Sequence, residues 1–575
     1  MLIAKVFQFF LATETNINTR RSQFWLCLGL GFSIVYSLIA LRKAFNGDYL
    51  VQDDARQHVF WMSRFIDPEL FPNDLIADYF QSIAPWGYQN IYRLAANLGI
   101  EPLVFNKFIP GILGIIMTIY CFAVSLELFP IPFGAFVTTL LFNQNIWRQE
   151  GLISGTPRNF AYPLFFIFLY YLLKRSLLGV CLAILLASLF YPTLVLIFAG
   201  VLLVQLWQID GYQLRLCQKR QTYLFSITGL AVALVVLFPY IFSTAAYAPV
   251  ITMEEARSLP EFFSGGRASF FDDDTWDFWF NGSRSGIKLS SALSPQLAYG
   301  GLLLPLLLRF PNKFSLSQKI NPAISSLRDL LIASFGLFFA AHALLFRLHL
   351  PSRYTVRSLR VIVIIAASIT LMLLLEAIFR WAINSQTYLK VKSITALVTV
   401  VIFLTALIGY PATRNSFVKT GYQRGLYPEL YQFLQQQPKD ILIASLTREA
   451  DLIPSFTKRS ILVSREYAIP YHLGYYKPFR QRVIDLIEAQ YTSDLEQVKR
   501  FINHYQIDFW LIEKSSFTPE YLTQNRWLQD HQPATAIAIN NLIQGNGAIA
   551  KLQNSCSVFQ DNQHSLLNTD CIRQQ

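Results

Sequence analysis

Long runs of residues without a single charge fill most of the first 410 positions, and they constrain the fold more than any other feature. A helix crosses a bilayer core about 30 Å thick with about 20 apolar residues. Such runs occupy positions 22–41, 108–126, 128–147, 159–173, 176–209, 221–242, 289–308, 330–346, 361–375 and 393–413. The run 176–209 is interrupted by Tyr191-Pro192, which predicts two spans joined by a tight turn. The sequence therefore predicts a polytopic α-helical membrane protein with about eleven transmembrane helices.

The composition supports the same class. Of the 575 residues, 53% are hydrophobic and only 15% are charged, whereas soluble domains carry roughly 25% charged residues. This balance excludes a soluble enzyme, a disordered chain and a nucleic-acid binder. The net charge of +12 is then to be interpreted loop by loop, with the lipid bilayer as the main partner.

The distribution of charges predicts the orientation. Loops on the side of the N-terminus carry fifteen Lys and Arg residues, from Lys5 to Lys392. Two long loops on the other side are acidic: 42–106 has eight acids against five bases, and 243–288 has seven against four. Because cytoplasmic loops are enriched in Lys and Arg, we expect a cytoplasmic N-terminus, an extracytoplasmic C-terminus and a location in the plasma or inner membrane.

The pattern changes after the last apolar run. We expect a cytoplasmic segment 1–22, a membrane domain 23–413 and a soluble extracytoplasmic domain 421–575. In that last part, short apolar strands at 440–445, 460–464 and 508–513 alternate with helical patterns at 427–437, 479–491 and 494–505, which predicts an α/β domain. Cys556 and Cys571 fall on the oxidising side, where a disulfide between them is one of two open alternatives.

The first outer loop carries a pair of carboxylates. Asp53 and Asp54 can act as a general base toward an acceptor hydroxyl, or hold an optional divalent cation, Mg²⁺ or Mn²⁺. His58 shares a helix face with Asp54 and is a weaker candidate for sugar or acceptor binding. The alternative is structural: Asp53 caps a helix and Asp54 favours its dipole. The apolar stretch that follows, 59–66, is expected to lie flat on the membrane surface.

Three arginines mark a second candidate site, at the outer mouth of the tenth span. Arg353, Arg357 and Arg360 are spaced i, i+4, i+7 and share one helix face. Arginine binds phosphate bidentately, so we expect a lipid-phosphate site, which Arg158 at another outer mouth could join. The alternative is that these side chains snorkel to lipid headgroups.

A third candidate lies in the second outer loop, where carboxylates alternate with aromatic rings. Asp272, Asp274 and Trp276 suit a sugar ring or a cation. The alternative is a solvated acidic loop with aromatic residues at the membrane interface.

Together these residues resemble the GT-C superfamily of membrane glycosyltransferases, which includes oligosaccharyltransferase catalytic subunits, protein mannosyltransferases and aminoarabinose transferases. The resemblance rests on the acidic first outer loop with Asp53 and Asp54, the many spans, and the outer C-terminal domain. It implies a polyprenyl-phosphate-sugar donor, a catalytic acid at Asp53 or Asp54, and lipid-phosphate contacts at Arg353 and Arg357. The tryptophan-rich signature of oligosaccharyltransferases is missing from the C-terminal domain, so transfer to asparagine is not expected.

The expected function is therefore that of an inverting glycosyltransferase acting on an envelope acceptor at the outer face. Two alternatives remain open. A catalytically inactive scaffold of the same fold would have the same sequence pattern. A lipid or solute transporter is disfavoured because the spans are almost free of charge.

Overall fold

The computed structural model describes residues 2–210, 213–383, 389–545 and 547–575, and it is mostly helical. In the first 413 residues the helices are α1 Leu2–Leu11, α2 Arg20–Ala44, α3 Ala55–His58, α4 Leu75–Ser82, α5 Trp86–Asn97, α6 Pro102–Leu128, α7 Pro132–Arg148, α8 Ala161–Leu173, α9 Leu177–Phe190, α10 Thr193–Val204, α11 Arg220–Ser243, α12 Met253–Arg257, α13 Leu304–Leu307, α14 Ser325–Ala343, α15 Ser352–Ile383 and α16 Leu389–Gly409.

Six helical segments among the described residues are long and apolar enough to cross a membrane. They are Arg20–Ala44, Pro102–Leu128, Arg220–Tyr240, Pro322–Ala343, Ser352–Ile383 and Lys390–Thr413. The other predicted runs form shorter helices, and the run 289–308 is mostly the 3₁₀ turn Gln296–Leu303 followed by α13. A polytopic membrane protein is thus supported, while the number of eleven spans stays a prediction.

Burial separates central from peripheral spans. In α6 and α15, 67% of the most apolar segment is buried inside the protein, against 28% in α2 and 22% in Arg220–Tyr240. Large apolar side chains on the peripheral helices are exposed, such as Leu38 at 58% and Leu234 at 72%. An apolar surface of this extent is disfavoured in water and is expected where lipid covers it.

Local signals in the sequence explain where the helices begin. Glu101 accepts a hydrogen bond from the backbone of Val104 and is followed by Pro102 at the first helical position of α6. Thr19 caps α2 in the same way, through the backbone of Ser22. Between α9 and α10 the helix is broken at Tyr191-Pro192, which confirms the predicted turn.

The C-terminal region forms an α/β layer with a five-stranded sheet. Its strands are β5 Leu442–Ser445, β6 Ser460–Ile461, β7 Phe509–Glu513, β8 Ser557–Gln560 and β9 His564–Asn568, in the order β6-β5-β7-β9-β8. The first three are parallel and β9 and β8 are antiparallel. Its helices are α17 Pro428–Gln435, α18 Ile453–Thr457, α19 Leu473–Tyr491, α20 Leu495–Tyr505, α21 Pro519–Gln524, α22 Arg526–Gln529, α23 Ala534–Gln544, α24 Ala548–Leu552 and α25 Thr569–Gln574.

The predicted strands and helices of this region are confirmed, and β8 and β9 are additional. A disulfide joins Cys556 and Cys571, with their Cα atoms 5.4 Å apart. It links the residue before β8 to α25, which follows β9. The open question of their pairing is therefore answered in favour of the bridge.

Two further antiparallel pairs lie outside this sheet. Strand β1 Leu50–Gln52 pairs with β4 Tyr422–Arg424, and β2 Trp207–Asp210 pairs with β3 Gln213–Leu216. In the first pair Val51 lies opposite Gln423. This pairing fastens the first outer loop to the start of the C-terminal region.

The apolar stretch after His58 does not lie on the membrane surface. Val59, Phe60 and Met62 are at most 1% exposed. Phe60 packs edge-on against Phe71 and contacts the ring of Tyr467 in the C-terminal region. The prediction of a surface helix was wrong for residues 59–62, because the outer loop itself and Tyr467 supply a protein core for their apolar side chains, whereas Ile66 at the end of the stretch is 47% exposed.

Candidate functional site

Strand β1 positions the carboxylate pair of the first outer loop. The amide of Asp53 donates to the carbonyl of Gly421 at 3.1 Å, and the amide of Asp54 donates to the side chain of Gln52 at 2.9 Å. Helix α3 starts immediately after Asp54. The pair is therefore held where the first outer loop meets the C-terminal region.

The two carboxylates diverge. Asp53 forms an ion pair with Arg56 and accepts a hydrogen bond from Gln423 at 3.3 Å. Asp54 forms an ion pair with Arg158. Asp54 is the residue before α3, but its side chain makes no capping hydrogen bond. The structural interpretation as a helix cap does not account for either carboxylate.

Arg158 is presented by a tightly built turn. The backbone of Thr156 donates to the Asn159 side chain at 3.0 Å, which closes a capping box around the turn Pro157–Phe160. Gly155, at φ +58°, approaches Asn106 so closely that an added Cβ would lie 2.7 Å from its side-chain nitrogen. Only glycine satisfies both conditions, so the local sequence fixes the backbone of the turn that carries Arg158.

The predicted arginines converge on a cavity of about 300 Å³, which we call the arginine pocket. Its charged lining residues are Arg158, Lys288, Arg353, Arg357, Arg360, Lys419 and Glu150. Six cations thus face one carboxylate, and Glu150 is itself paired with Lys419 at 3.0 Å. Asp54 touches this pocket through Arg158, although about 300 positions separate it from α15.

Two of the arginines are buried in the protein and held by aromatic rings. Arg357 is 7% exposed and lies over the ring of Tyr191 at 4.6 Å. Arg360 is 5% exposed and donates to the hydroxyl of Tyr162 and to the Gln149 side chain, both at 2.6 Å. Arg357 and Arg360 therefore do not reach lipid headgroups, and the snorkelling alternative does not fit them.

Tyr191 and Tyr162 are partners that the sequence did not reveal. Tyr191 was predicted to be only part of a turn, and its ring lies beneath Arg357 from the turn between α9 and α10. Lys288 was missed as well. Its pKa is lowered, first by burial and then by Arg353 and Arg360, which reflects the excess of positive charge in the arginine pocket.

His58 lies on the Asp54 side of the first outer loop. Its amide donates to the Asp54 carbonyl at 3.1 Å, as the predicted shared helix face requires. Desolvation lowers the pKa of His58 to about 4; Asp54 opposes this shift and Arg158 adds to it. At neutral pH the imidazole is therefore uncharged and adds no cation to the site, and His58 lines neither the arginine pocket nor the interface cleft described below.

An apolar groove of about 780 Å³ lies beside the arginine pocket. Its lining includes Trp86, Leu189, Val236, Tyr240 and His349. Desolvation and the charges of Arg353 and Arg357 lower the pKa of His349 to about 3. His349 lies four residues before Arg353, which lines the arginine pocket, so the groove and the arginine pocket are neighbours.

A second polar cavity, of about 620 Å³, lies on the Asp53 side, and we call it the interface cleft. Its charged lining residues are Asp53, Arg56, Arg267, Arg424, Arg448, Glu449, Asp451, Arg465, Glu466 and Glu513. They come from both long outer loops and from the C-terminal region. The cleft is therefore built between the membrane part and the C-terminal sheet.

Ion pairs hold this cleft together. The buried Arg56 binds Glu466 at 2.9 Å and lies 3.7 Å from Asp451. Glu466 also binds Arg267 at 2.9 Å. Burial raises the pKa of Glu466 to about 7 and outweighs the two arginines, which lower it.

The acidic aromatic loop lies apart from both cavities. Asp272 and Asp274 are exposed and accept hydrogen bonds from backbone amides of their own loop at 3.0 and 2.9 Å. Trp276 is 64% exposed and stacks on Phe280 at 4.1 Å. The structure therefore does not bring these three residues to the carboxylate pair, and it agrees with the solvated-loop alternative.

The optional cation was predicted at the carboxylate pair. Among the residues that the structure describes, no three His, Cys, Asp or Glu side chains are grouped as a metal site requires. Asp53 and Asp54 point to different cavities, and each is paired with an arginine. Mg²⁺ or Mn²⁺ thus remains a proposal.

The fold is shared with known glycosyltransferases. Oligosaccharyltransferase AglB from Archaeoglobus fulgidus, in complex with an inhibitory peptide and a dolichol-phosphate, matches 90% of this chain and 72% of its own, with a TM-score of 0.54 and 11% identity. An acceptor-peptide-tethered form of that enzyme gives a TM-score of 0.51, with 89% and 72% covered at 11% identity. Arabinofuranosyltransferase AftD from Mycobacteria gives 0.50, with 88% of this chain and 36% of its own covered at 11% identity.

These proteins are GT-C glycosyltransferases, so the predicted resemblance in fold is confirmed. No known family matches this sequence by its family model, and no curated protein matches it.

Proposed function

We propose that this protein is an inverting glycosyltransferase. It would move a sugar from a polyprenyl-phosphate donor to an envelope acceptor at the outer face of the plasma or inner membrane. The observation that carries the proposal is the ion pair between Asp54 and Arg158. It connects a carboxylate of the first outer loop to the arginine pocket on α15. A base and an anion-binding pocket in contact are the two parts that sugar transfer from a phosphate requires.

Asp54 is assigned as the base, since it is the carboxylate that contacts the arginine pocket. It takes the proton from an acceptor hydroxyl while the oxygen attacks the anomeric carbon. The bond between that carbon and the phosphate oxygen breaks, and the phosphate leaves with the electron pair. Attack from the face opposite the phosphate inverts the anomeric centre.

The arginine pocket is assigned to the leaving phosphate. Arg353 and Arg357 lie in the first two turns of α15, and Arg158 lies between them and Asp54. Fixed guanidinium groups in a site with little water stabilise the charge that develops on the phosphate. The stacking of Arg357 on Tyr191 keeps its guanidinium oriented before the donor arrives.

The apolar groove is assigned to the lipid of the donor. Its lining comes from the α4–α5 segment, from α9 and from α11, and it includes His349, four residues before Arg353. A polyprenyl chain in the groove would place its phosphate at the start of α15. This continuity from an apolar to a cationic surface favours a lipid-linked donor.

The acceptor is assigned to both sides of the carboxylate pair: its reacting hydroxyl lies at Asp54, and the rest of the molecule extends past Asp53 into the interface cleft. The interface cleft opens between the first outer loop and the C-terminal region, and it is polar throughout most of its lining. In this arrangement the C-terminal region selects the acceptor. Asp53 positions Arg56 and the cleft wall, and it does not take the proton.

The test uses purified full-length protein in lipid nanodiscs with radiolabelled polyprenyl-phosphate sugars. Cleavage of the donor is measured with water and with an envelope extract as acceptors, and the product anomer is determined by NMR. We expect Asp54→Asn to lower the rate by at least about 100-fold, and Asp53→Asn to lower it much less. Asp78→Asn is the matched control, because Asp78 pairs with Arg64 in the same outer loop at 2.7 Å.

An undiminished rate in Asp54→Asn would refute the base assignment. Retention of the configuration would refute inversion. If wild-type protein cleaved none of the donors while Arg357→Ala still weakened their binding, the chain would be a binding scaffold of this fold.

A further inference from the structure

A polar cavity of about 520 Å³ lies outside the site described above, and we call it the basal cavity. Its lining includes Arg175, Gln205, Trp207, Lys219, Phe225, Arg328 and Asp329. These residues come from the end of α8, the end of α10, the β2–β3 hairpin and the starts of α11 and α14. None of them belongs to the arginine pocket, the apolar groove or the interface cleft.

The helices place the basal cavity at the opposite membrane face. Thr222 and Phe225, near the start of α11, line the basal cavity, whereas Pro239 and Tyr240 near its end line the apolar groove. The segment Arg220–Tyr240 is a candidate membrane span of 21 residues, or about 31 Å of helix. A bilayer core is about 30 Å thick, so one span separates the two cavities.

The basal cavity carries an excess of positive charge. Arg175, Lys219 and Arg328 face Asp329, and Arg328 pairs with Asp329 at 3.1 Å. The other arginine has neutral partners, since Arg175 donates to the Gln205 side chain at 2.9 Å and lies over the ring of Phe225 at 5.6 Å. Arginine held by neutral groups keeps its affinity for an anion.

Exposed apolar side chains flank this charge. Trp207 and Leu216 lie opposite each other in the β2–β3 hairpin and are 46% and 54% exposed. On the adjoining turn of α11, Leu224 is 57% exposed. An exposed tryptophan beside basic residues at the end of a span is typical of the membrane interface.

We propose that the basal cavity binds the phosphate headgroup of an anionic membrane phospholipid, with the Trp207–Leu216 pair against its acyl chains. Basic pockets between membrane helices bind anionic headgroups in this way. The apolar flank favours a lipid over free phosphate, because free phosphate gains nothing from Trp207 and Leu216. The binding is independent of sugar transfer, since the cavity shares no residue with the proposed donor and acceptor sites.

The experiment measures lipid retention by the full-length protein in detergent, using native mass spectrometry with phosphatidylglycerol or phosphatidylcholine. The cavity variant combines Arg175→Gln, Lys219→Gln and Arg328→Gln. The control variant combines Arg309→Gln, Lys313→Gln and Lys319→Gln, which removes the same charge from exposed positions outside the cavity. Lys219→Gln alone changes an exposed side chain and tests the site without disturbing the Arg328–Asp329 pair.

We expect phosphatidylglycerol to be retained in preference to phosphatidylcholine. The cavity variant should lose this retention by about tenfold or more, the single variant by about threefold to fivefold, and the control variant by less than twofold. Trp207→Ala should weaken phosphatidylglycerol retention. Millimolar inorganic phosphate should not displace phosphatidylglycerol from the wild-type protein.

Equal losses in the cavity and control variants would overturn the proposal, as would equal retention of the two lipids. If millimolar inorganic phosphate displaced phosphatidylglycerol and Trp207→Ala had no effect, the basal cavity would be a site for free phosphate. This result would also overturn the proposal of lipid binding. Because lipid retention is measured without a sugar donor, its failure is distinct from a failure of the proposed transferase activity.

Discussion

The arginine pocket and the interface cleft lie on the two sides of the Asp53–Asp54 pair and differ in charge balance. The arginine pocket has six cations against one carboxylate, whereas the interface cleft has five arginines against five carboxylates. In the cleft the charges bind each other and join three parts of the chain. In the pocket the two buried arginines, Arg357 and Arg360, are held by the neutral side chains of Tyr191 and Tyr162. The excess of cations in the arginine pocket therefore indicates a binding site for an anionic ligand. The equal numbers of opposite charges in the interface cleft indicate that its ion pairs stabilise the fold.

If the interface cleft is held together by its charges, removal of Arg56 should destabilise the protein more than any other change compared here. Arg56→Gln leaves Glu466 and Asp451 without their buried partner, which costs about 3–5 kcal/mol of stability. The midpoint of thermal unfolding in nanodiscs measures the effect. Arg424→Gln is the control, since Arg424 lines the same cleft but its side chain is exposed and donates to the Asn46 carbonyl at 2.9 Å rather than to a carboxylate. Equal midpoints of thermal unfolding for the two variants would contradict a structural role for the cleft charges.

If the arginine pocket serves the leaving phosphate, Arg357→Ala should affect chemistry more than stability. Loss of a fixed donor to a developing negative charge lowers kcat by about 10²–10³, and Arg357→Lys should restore only part of it because lysine lacks the planar fork. Donor cleavage and the thermal midpoint are measured together. A fall in the midpoint that accounts for the whole loss of activity would make Arg357 a structural residue.

The two sides should also differ in their dependence on pH. The pKa of Glu466 is raised in the folded protein to about 7, so the folded state holds a proton that the unfolded state releases near pH 4.5. Its contribution to stability is present at low pH and is lost as the pH rises toward 7, by up to about 3 kcal/mol. Unfolding midpoints between pH 4.5 and 8 should fall in the wild type and stay flatter in Glu466→Gln. Parallel curves would contradict this assignment.

The smallest effect is expected for the acidic aromatic loop, which belongs to neither cavity. Trp276→Ala and Asp274→Asn change exposed side chains and should alter stability by less than about 0.5 kcal/mol. Donor cleavage should change by less than about twofold. A larger loss of donor cleavage, with an unchanged thermal midpoint, would instead support the predicted role of this loop in sugar binding.

Much of the architecture could be predicted because local pattern determines it. Uncharged runs of about 20 residues predicted the long helices α2, α6 and α11, and the alternation after residue 421 predicted β5 and β7. The spacing of Arg353, Arg357 and Arg360 predicted a shared face, since helical geometry depends on sequence separation alone. The surface position predicted for residues 59–66 failed, because an apolar face does not reveal whether lipid or protein covers it.

The sequence by itself determined that this chain enters a membrane, where its helices form, and which side chains could bind phosphate or take a proton. Only the tertiary structure decided that Asp54 meets Arg158 while its neighbour Asp53 turns to Arg56, and that Tyr191 lies beneath Arg357. Hydrophobic runs and helical spacing are local properties of the chain. Contacts between residues hundreds of positions apart depend on tertiary packing, such as the pairing of β1 with β4 and the contact of the α9–α10 turn with the start of α15.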